Sequence, residues 1–446
     1  MTFNPHTVED RAEMLEAVGV SSAADLFASV SADVRFPNLS LPPALTEMEA
    51  AARLNALARQ NFVADAGDSY LGAGAYRHYI PATVGQILAR GEFYTAYTPY
   101  QPEVAQGTLQ VIYEFQTLVA ELLGMEVANA SMYDGATALA EGALIAISAS
   151  LRKDRIVVSG TVHPAYRDVL RTYLSGTITE LIELPIPTDG FVTTVDDFRP
   201  YLDDRLACLI VQYPNFFGGI EDIEAVAAAA HEAGALLTVA TSPVPLGLLK
   251  SPGELGADIV AAEGQSLGVP QSYGGPYVGL LATQKSHLRQ LPGRLAGVTQ
   301  DSEGKRGFVL TLQTREQHIR REKATSNICT NQGLMATAAT VYMASVGPEG
   351  FREVATACYR NAHYLAASIS ALPGFEPVLD AEFFHEFVVR CPGPAETINQ
   401  RLAEARIVGG YGLGAVDPAL EDCMLLCATE LNSRAGIDRL VTVLAS

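Results

Sequence analysis

The chain has 446 residues, 48% of them hydrophobic, with no apolar run of membrane-spanning length and no basic-then-apolar start of the kind a signal peptide has. That length exceeds what one core usually organises, so a large domain with a smaller companion is expected. Fifty acidic against thirty basic side chains leave a formal charge of −20, which repels phosphate backbones and disfavours nucleic acid as a partner. Residues 1–60 carry helical patterning that Pro42-Pro43 halts; Thr46-Glu47-Met48-Glu49 then has the spacing of a capping box and opens a helix to about Gln60. Thr108 to Leu123 places Leu109, Ile112, Phe115, Val119 and Leu122 at three- and four-residue steps and stops at Gly124.

From about residue 125 short β-rich runs alternate with helical stretches. The runs are Ile156–Ser159, Leu181–Leu184, Leu206–Val211, Leu236–Ala240, Ile259–Ala262 and Tyr277–Leu281, with an Ala-rich helical stretch from Glu221 to Glu232. Continuous apolar runs separated by helices predict a mostly parallel sheet covered on both faces, an α/β architecture. After Thr330 the texture shifts. A long helical stretch from Gly333 to Ala366 contains the break Val346-Gly347-Pro348, and Phe387–Arg390, Ala395–Ala405 and Cys423–Ala428 suggest a small αβ domain. The expected division is a helical segment over 1–70, a large α/β domain over 71–330 and the small domain over 331–446. None of the six cysteines forms a C-x-x-C pair, which suits buried free thiols in a reducing cytoplasm and no metal site.

Several constellations have candidate chemistry. Asp134-Gly135-Ala136-Thr137 precedes a helical run, so it is either a capped helix start or a cradle for an anion. His163 follows one strand and Asn215 follows another, at the carboxyl ends where α/β sheets place their sites. Either residue is equally at home turning the chain. The densest segment is 72–107, where five tyrosines, Arg77, His78, Glu92 and Glu103 are interrupted by Pro99 and Pro102. Aromatic and Arg-bearing irregular segments are typical of binding surfaces. There is no Walker A loop or H-E-x-x-H.

Tyr94 to Glu103, Gly107-Thr108-Leu109, Phe115-Gln116, Gly124-Met125 and Ala128 to Thr137 together resemble glycine decarboxylase, the P-protein of the glycine cleavage system. Gly72 to Pro81 and Arg320 to Gln332 match too, and the likeness is greater to the alpha subunit (subunit 1) of its two-subunit form. The resemblance implies a fold-type I pyridoxal phosphate (PLP) transferase-like architecture with a mostly parallel, seven-stranded-type sheet. It also implies where a cofactor lysine and a pyridinium-binding aspartate should stand. Gln265 occupies the lysine slot and Ala240 the aspartate slot. An amide cannot form a Schiff base, and none of the five lysines lies between Lys250 and Lys285.

The resemblance therefore implies a chain with no covalent cofactor and no catalytic residues of its own, paired with a PLP-carrying beta subunit. Together they would decarboxylate glycine and pass the aminomethyl group to the lipoyl arm of H-protein. Tyr94, Thr95, Tyr97, Thr98, Tyr100 and Gln101, with Arg77 and His78, are the candidates for completing the partner's site. Asp134, Gly135, Thr137, His163 and Asn215 mark a vestigial cofactor pocket. The alternatives are an independently active PLP aminotransferase or lyase, and a non-enzymatic scaffold of the same fold.

Overall fold

The computed structural model describes residues 5–63, 68–150, 154–187, 190–324, 326–379 and 381–446. Lys153 lies outside the described residues. The chain divides into two compact units, Met1–Val63 and Ala64–Ser446.

The first unit holds helices Val8–Val18 and Glu47–Ala58 and a short 3-10 turn, Ala23–Phe27. The capping box predicted at Thr46 is present, with Thr46 and Glu49 bonding reciprocally. Helix is absent between residues 28 and 46, contrary to the periodicity. Pro37, Pro42 and Pro43 remove donors there and restrict the residues before them. Neither helix buries a residue, and Phe27, Phe36, Leu39, Leu41, Met48 and Leu54 are exposed.

The second unit is built on a seven-stranded sheet. In chain order its strands are β1 (Val127–Ala128), β2 (Arg155–Val158), β3 (Glu180–Glu183), β4 (Leu206–Tyr213), β5 (Leu236–Thr241), β6 (Ile259–Glu263) and β7 (Gly279–Thr283). The spatial order is β1-β7-β6-β5-β4-β2-β3. The run from β3 to β6 is parallel, and β7 and β1 add an antiparallel edge. β7 turns back because the link from β6 carries no crossover helix. Successive β4 residues serve opposite faces. Leu209 and Val211 join the core under helices Gln106–Leu123 and Ile223–Glu232. Cys208 and Ile210 join the one under Gly135–Ala149 and Pro164–Leu174. Burial on both faces is why these strands appear as unbroken apolar runs.

A hairpin of β8 (Leu295–Gln300) and β9 (Arg306–Thr311) follows. Helix Gly333–Ser370 then carries the expected break, with Gly347 at φ 65° and ψ 175° just before Pro348. Beyond it lies the small antiparallel sheet: β10 (Glu376–Pro377), β11 (Glu386–Arg390), β12 (Tyr411–Gly412) and β13 (Cys423–Cys427), in the order β10-β11-β13-β12. Helices Ala395–Glu404 and Arg434–Leu444 complete its own core. The six cysteines are free. Among the described residues no helix is long and apolar enough to cross a membrane.

Candidate functional site

The carboxyl ends of β4, β5 and β6 converge on a crevice. Gln212, Asn215, Thr241, Ser242 and Glu263 form its floor; Gly74, Tyr76, His163 and Glu386 close it from above. Its free volume is about 20 Å³, room for about one water.

Gln265 explains much of this closure. The side chain is 2% exposed and its amide is fully engaged. The oxygen accepts the Tyr76 N–H at 2.8 Å, and the nitrogen donates to the carbonyls of Tyr76 at 2.9 Å and Val269 at 2.8 Å. The side chain thus pins the Gly72–Pro81 segment to the end of β6. Glu386 holds the same segment from the small sheet, accepting the Ala73 N–H and the Tyr76 hydroxyl, each at 2.7 Å. Burial pushes its carboxyl up to about 7. Gly72 fits only as glycine, because an added Cβ would lie 2.3 Å from the Glu386 carboxylate.

Glu263 faces the start of helix Gly135–Ala149. One carboxylate oxygen accepts the Gly135 N–H at 2.8 Å; the other accepts the N–H groups of Gln265 and Val278 at 3.0 and 3.4 Å. Burial raises this carboxyl to about 8, the Gly135 bond pulls it down, and Asp134 adds a further upward push. The first N–H of this helix is therefore already answered by an internal acceptor. Asp134 and Thr137 cap each other and do not line the crevice, so this helix start is a capped one.

His163 and Asn215 line the crevice but serve the chain's own geometry. His163 Nδ1 accepts the Ala165 N–H, which leaves Nε2 to donate to the Ala73 carbonyl at 3.0 Å. Burial lowers its pKa and keeps the ring neutral. Asn215 makes four hydrogen bonds, to the Phe191 carbonyl, Glu221 and the N–H groups of Phe217 and Gly219. Of its two readings, the chain-turning one describes what it does. Ala240 lies in the apolar core beside Ala261 and offers no carboxylate. Among the described residues no lysine lines the crevice. A nucleophilic amine, a pyridinium partner, a free helix N-terminus and space are all lacking, so these residues do not fit PLP.

The tyrosine-rich segment lies elsewhere. It runs from the short helix Gly91–Tyr94 into irregular chain, with Tyr94, Tyr97 and Tyr100 exposed. The Tyr97 hydroxyl meets Thr330 Oγ1 at 3.3 Å. Tyr97 and Thr98 on one side, and Thr330 and Asn331 on the other, wall a cleft of about 80 Å³. Two motifs 233 residues apart are thus brought together. Thr95 bonds back to the Gly91 carbonyl, and the Gln101 carbonyl accepts the Val104 N–H. The Tyr100 hydroxyl accepts from Arg294 Nη2 at 3.1 Å.

His78 is in neither place. Its Nδ1 pairs with Glu430 at 2.8 Å, and the thiol of Cys358 points at the same carboxylate oxygen. The ligating atoms of this trio lie within 4.8 Å of one another, a geometry these hydrogen bonds already explain. Arg77 is half-buried beside it in the chain.

Glu263, Glu386 and Arg294 escaped the sequence reading. Each is a lone charge in or beside an apolar run: after Ile259–Ala262, before Phe387-Val388-Val389, and before Leu295-Ala296. That was the available signal, since an isolated charge in a buried run needs a partner.

The family model described as "Glycine cleavage system P-protein" matches residues 1–444. The chain belongs to the glycine cleavage system P-protein family. It is 59% identical over 444 residues to a probable glycine dehydrogenase (decarboxylating) subunit 1 of Thermomicrobium roseum, covering 100% of this chain and 99% of the relative. It is 49% identical to the like-named protein of Desulforamulus reducens, covering 100% of both. A crystal structure of glycine decarboxylase (P-protein) of the glycine cleavage system, in inhibitor-bound form, superposes with a TM-score of 0.92 at 45% identity, covering 100% of this chain and 99% of that one. A Lactobacillus brevis glutamate decarboxylase, at 14% identity and a TM-score of 0.69, shares the fold and covers 94% of this chain and 96% of its own. The fold is that of PLP-dependent fold-type I enzymes, and the P-protein family belongs to a PLP-dependent system.

Proposed function

We propose that this chain is the cofactor-free subunit of a cytoplasmic glycine dehydrogenase (decarboxylating), and that PLP resides in a second subunit of the same fold. The observation that carries the reading is Gln265, whose amide is used up in three buried hydrogen bonds where the fold calls for a lysine. The names of the relatives, each a subunit 1, support a two-subunit enzyme that releases CO₂ from glycine. The aminomethyl group then passes to the lipoyl arm of H-protein. An independently active PLP enzyme would lack its nucleophile here. The apolar side chains that Met1–Val63 leaves exposed support a partner chain, since a lone soluble chain rarely leaves so many uncovered. The free cysteines suit a reducing compartment.

In this reading the chain's own contribution is the face made by Tyr94–Gln101 and Thr330–Asn331. Its hydroxyls and amides orient a small polar substrate and exclude water at the edge of the partner's site. Arg77 and His78 form a second candidate group, at the junction with the small sheet. The test is co-expression with the second subunit and measurement of glycine-dependent CO₂ exchange with H-protein present. Tyr97→Phe keeps the ring and deletes one donor, and should slow turnover on the order of a hundredfold while the complex assembles. Wild-type turnover in Tyr94→Phe, Tyr97→Phe and Gln101→Ala, all assembled, would remove this segment from the site. If the isolated wild-type chain, incubated with PLP and reduced with borohydride, acquires one stoichiometric pyridoxyl-lysine, the cofactor assignment fails.

A further inference from the structure

Arg294 is a full guanidinium with 2% of its surface exposed. It sits between Gly293 and the start of β8, and its own carbonyl accepts the Ala130 N–H. Three chain segments meet at its side chain. Nη2 donates to the Tyr100 hydroxyl at 3.1 Å, and the guanidinium carbon stands 5.4 Å from the centre of that ring. Nη1 donates to Asn331 Oδ1 at 3.2 Å. The counter-charge is Glu316, also buried, at 3.6 Å from Nε. That distance is an ion pair without a hydrogen bond, and Nε makes no other bond.

Stability alone does not account for this arrangement. A buried ion pair costs its desolvation, and well-packed apolar side chains of similar volume usually do as well or better. The cation does something an apolar filler cannot: one rigid planar fork ties the Tyr100 end of the tyrosine segment to Asn331 on the opposite wall of the cleft. Asn331 is anchored in turn, its amide donating to the Ala130 carbonyl and Ser131 Oγ at 3.1 and 3.0 Å. Both walls therefore take their position from one buried group. A further consequence concerns the Tyr100 proton. The phenol oxygen accepts from a permanent donor, so its own O–H must point away from Arg294. The hydroxyl keeps its proton for a second partner, on a residue that is 48% exposed.

We propose that Arg294 is a positioning residue for the glycine reaction: it fixes the separation of the two cleft walls and the direction of the Tyr100 hydroxyl. This rests on the reading that the Tyr94–Gln101 face completes the partner's site. Arg294 touches no substrate and acts through Tyr100 and Asn331.

The test uses the assembled two-subunit complex with H-protein, comparing Arg294→Lys, Tyr100→Phe and the double variant by kcat and glycine KM. Arg294→Lys keeps the charge and loses the fork. Each single variant should lower kcat by about tenfold to a hundredfold with a much smaller change in KM. The double variant should be no slower than the slower single one, because both remove the same link. A merely structural residue would instead give losses that multiply, or a kcat within about twofold of wild type once the complex has assembled; either result overturns the proposal. If Arg294→Lys fails to assemble, Asn331→Ala takes its place, since it cuts the fork from the opposite wall and leaves the buried cation: combined with Tyr100→Phe, losses that multiply overturn the proposal, and a double variant no slower than the slower single one upholds it. Tyr97→Phe separates the two layers of the argument. If it slows turnover while Arg294→Lys and Tyr100→Phe do not, only the positioning role falls. If none of the three slows turnover, the reading beneath it falls as well.

Discussion

A lysine placed at position 265 should not bring a bound cofactor with it. Gln265→Lys supplies an amine, but it takes the acceptor away from the Tyr76 N–H, and an unsatisfied buried donor costs about 1–3 kcal/mol. The new ammonium enters a position that is 2% exposed, and its desolvation adds a comparable penalty. Together the change should destabilise the fold by about 3–5 kcal/mol. With an unfolding entropy of about 2 cal/mol/K per residue, a unit spanning Ala64–Ser446 should melt about 4–6 °C lower. Meanwhile the crevice still has room for about one water, Glu263 still occupies the helix N-terminus, and Ala240 still offers nothing to a pyridinium nitrogen. The assay is incubation with PLP, borohydride reduction and peptide mapping, beside a thermal melt. No adduct is expected at position 265. A stoichiometric adduct there refutes the filled-crevice argument, and an unchanged melting temperature refutes the role of the amide as a staple.

Two other perturbations test different parts of the molecule. Phe27→Glu combined with Leu41→Glu alters exposed apolar positions of Met1–Val63 and should weaken association with the second subunit by at least about tenfold, without lowering the chain's own melting temperature; titration by gel filtration or calorimetry reads this. Glu386 titrates near 7 in the fold against about 4.5 when free, so the folded chain holds its proton where the unfolded chain has lost it. The stability it contributes is complete below about pH 4.5 and is lost as pH rises through about 7, a fall of about 3 kcal/mol. Glu386→Gln should flatten that part of the profile in denaturant titrations from pH 5 to 8, and an unchanged slope would show that the carboxyl is not protonated in the fold.

What was legible in the sequence was what local pattern encodes. The helix ending at Gly124 shows its stripe at three- and four-residue steps, and Gly124 adopts φ 68° as its terminator. The sheet strands are apolar on both faces and stand out against their helices. The β8–β9 hairpin was not visible, because its link over residues 301–305 lacks a two-residue turn signature and its outer positions are polar. Helical spacing alone misled between residues 28 and 46, where three prolines decide the backbone. The expectation of a lysine at position 265 came only from resemblance; that the Gln265 amide would grip Tyr76 was not legible, since the partner lies 189 residues away. The pairing of Tyr97 with Thr330 was hidden for the same reason, as no local pattern reports which loops a sheet will bring together.

The carboxylate of Glu263 at the start of helix Gly135–Ala149 has a consequence for supply and demand in the cell. A protein that needs a diffusible anion at such a position gains stability in proportion to the logarithm of that anion's concentration, and loses it when the anion is scarce. Here the acceptor is covalently part of the chain, at an effective concentration that never falls. The melting temperature of this chain should therefore be indifferent to vitamin B6 status. On the reading proposed above, a shortage of that vitamin would act on a cofactor-bearing partner and not on this chain's own stability.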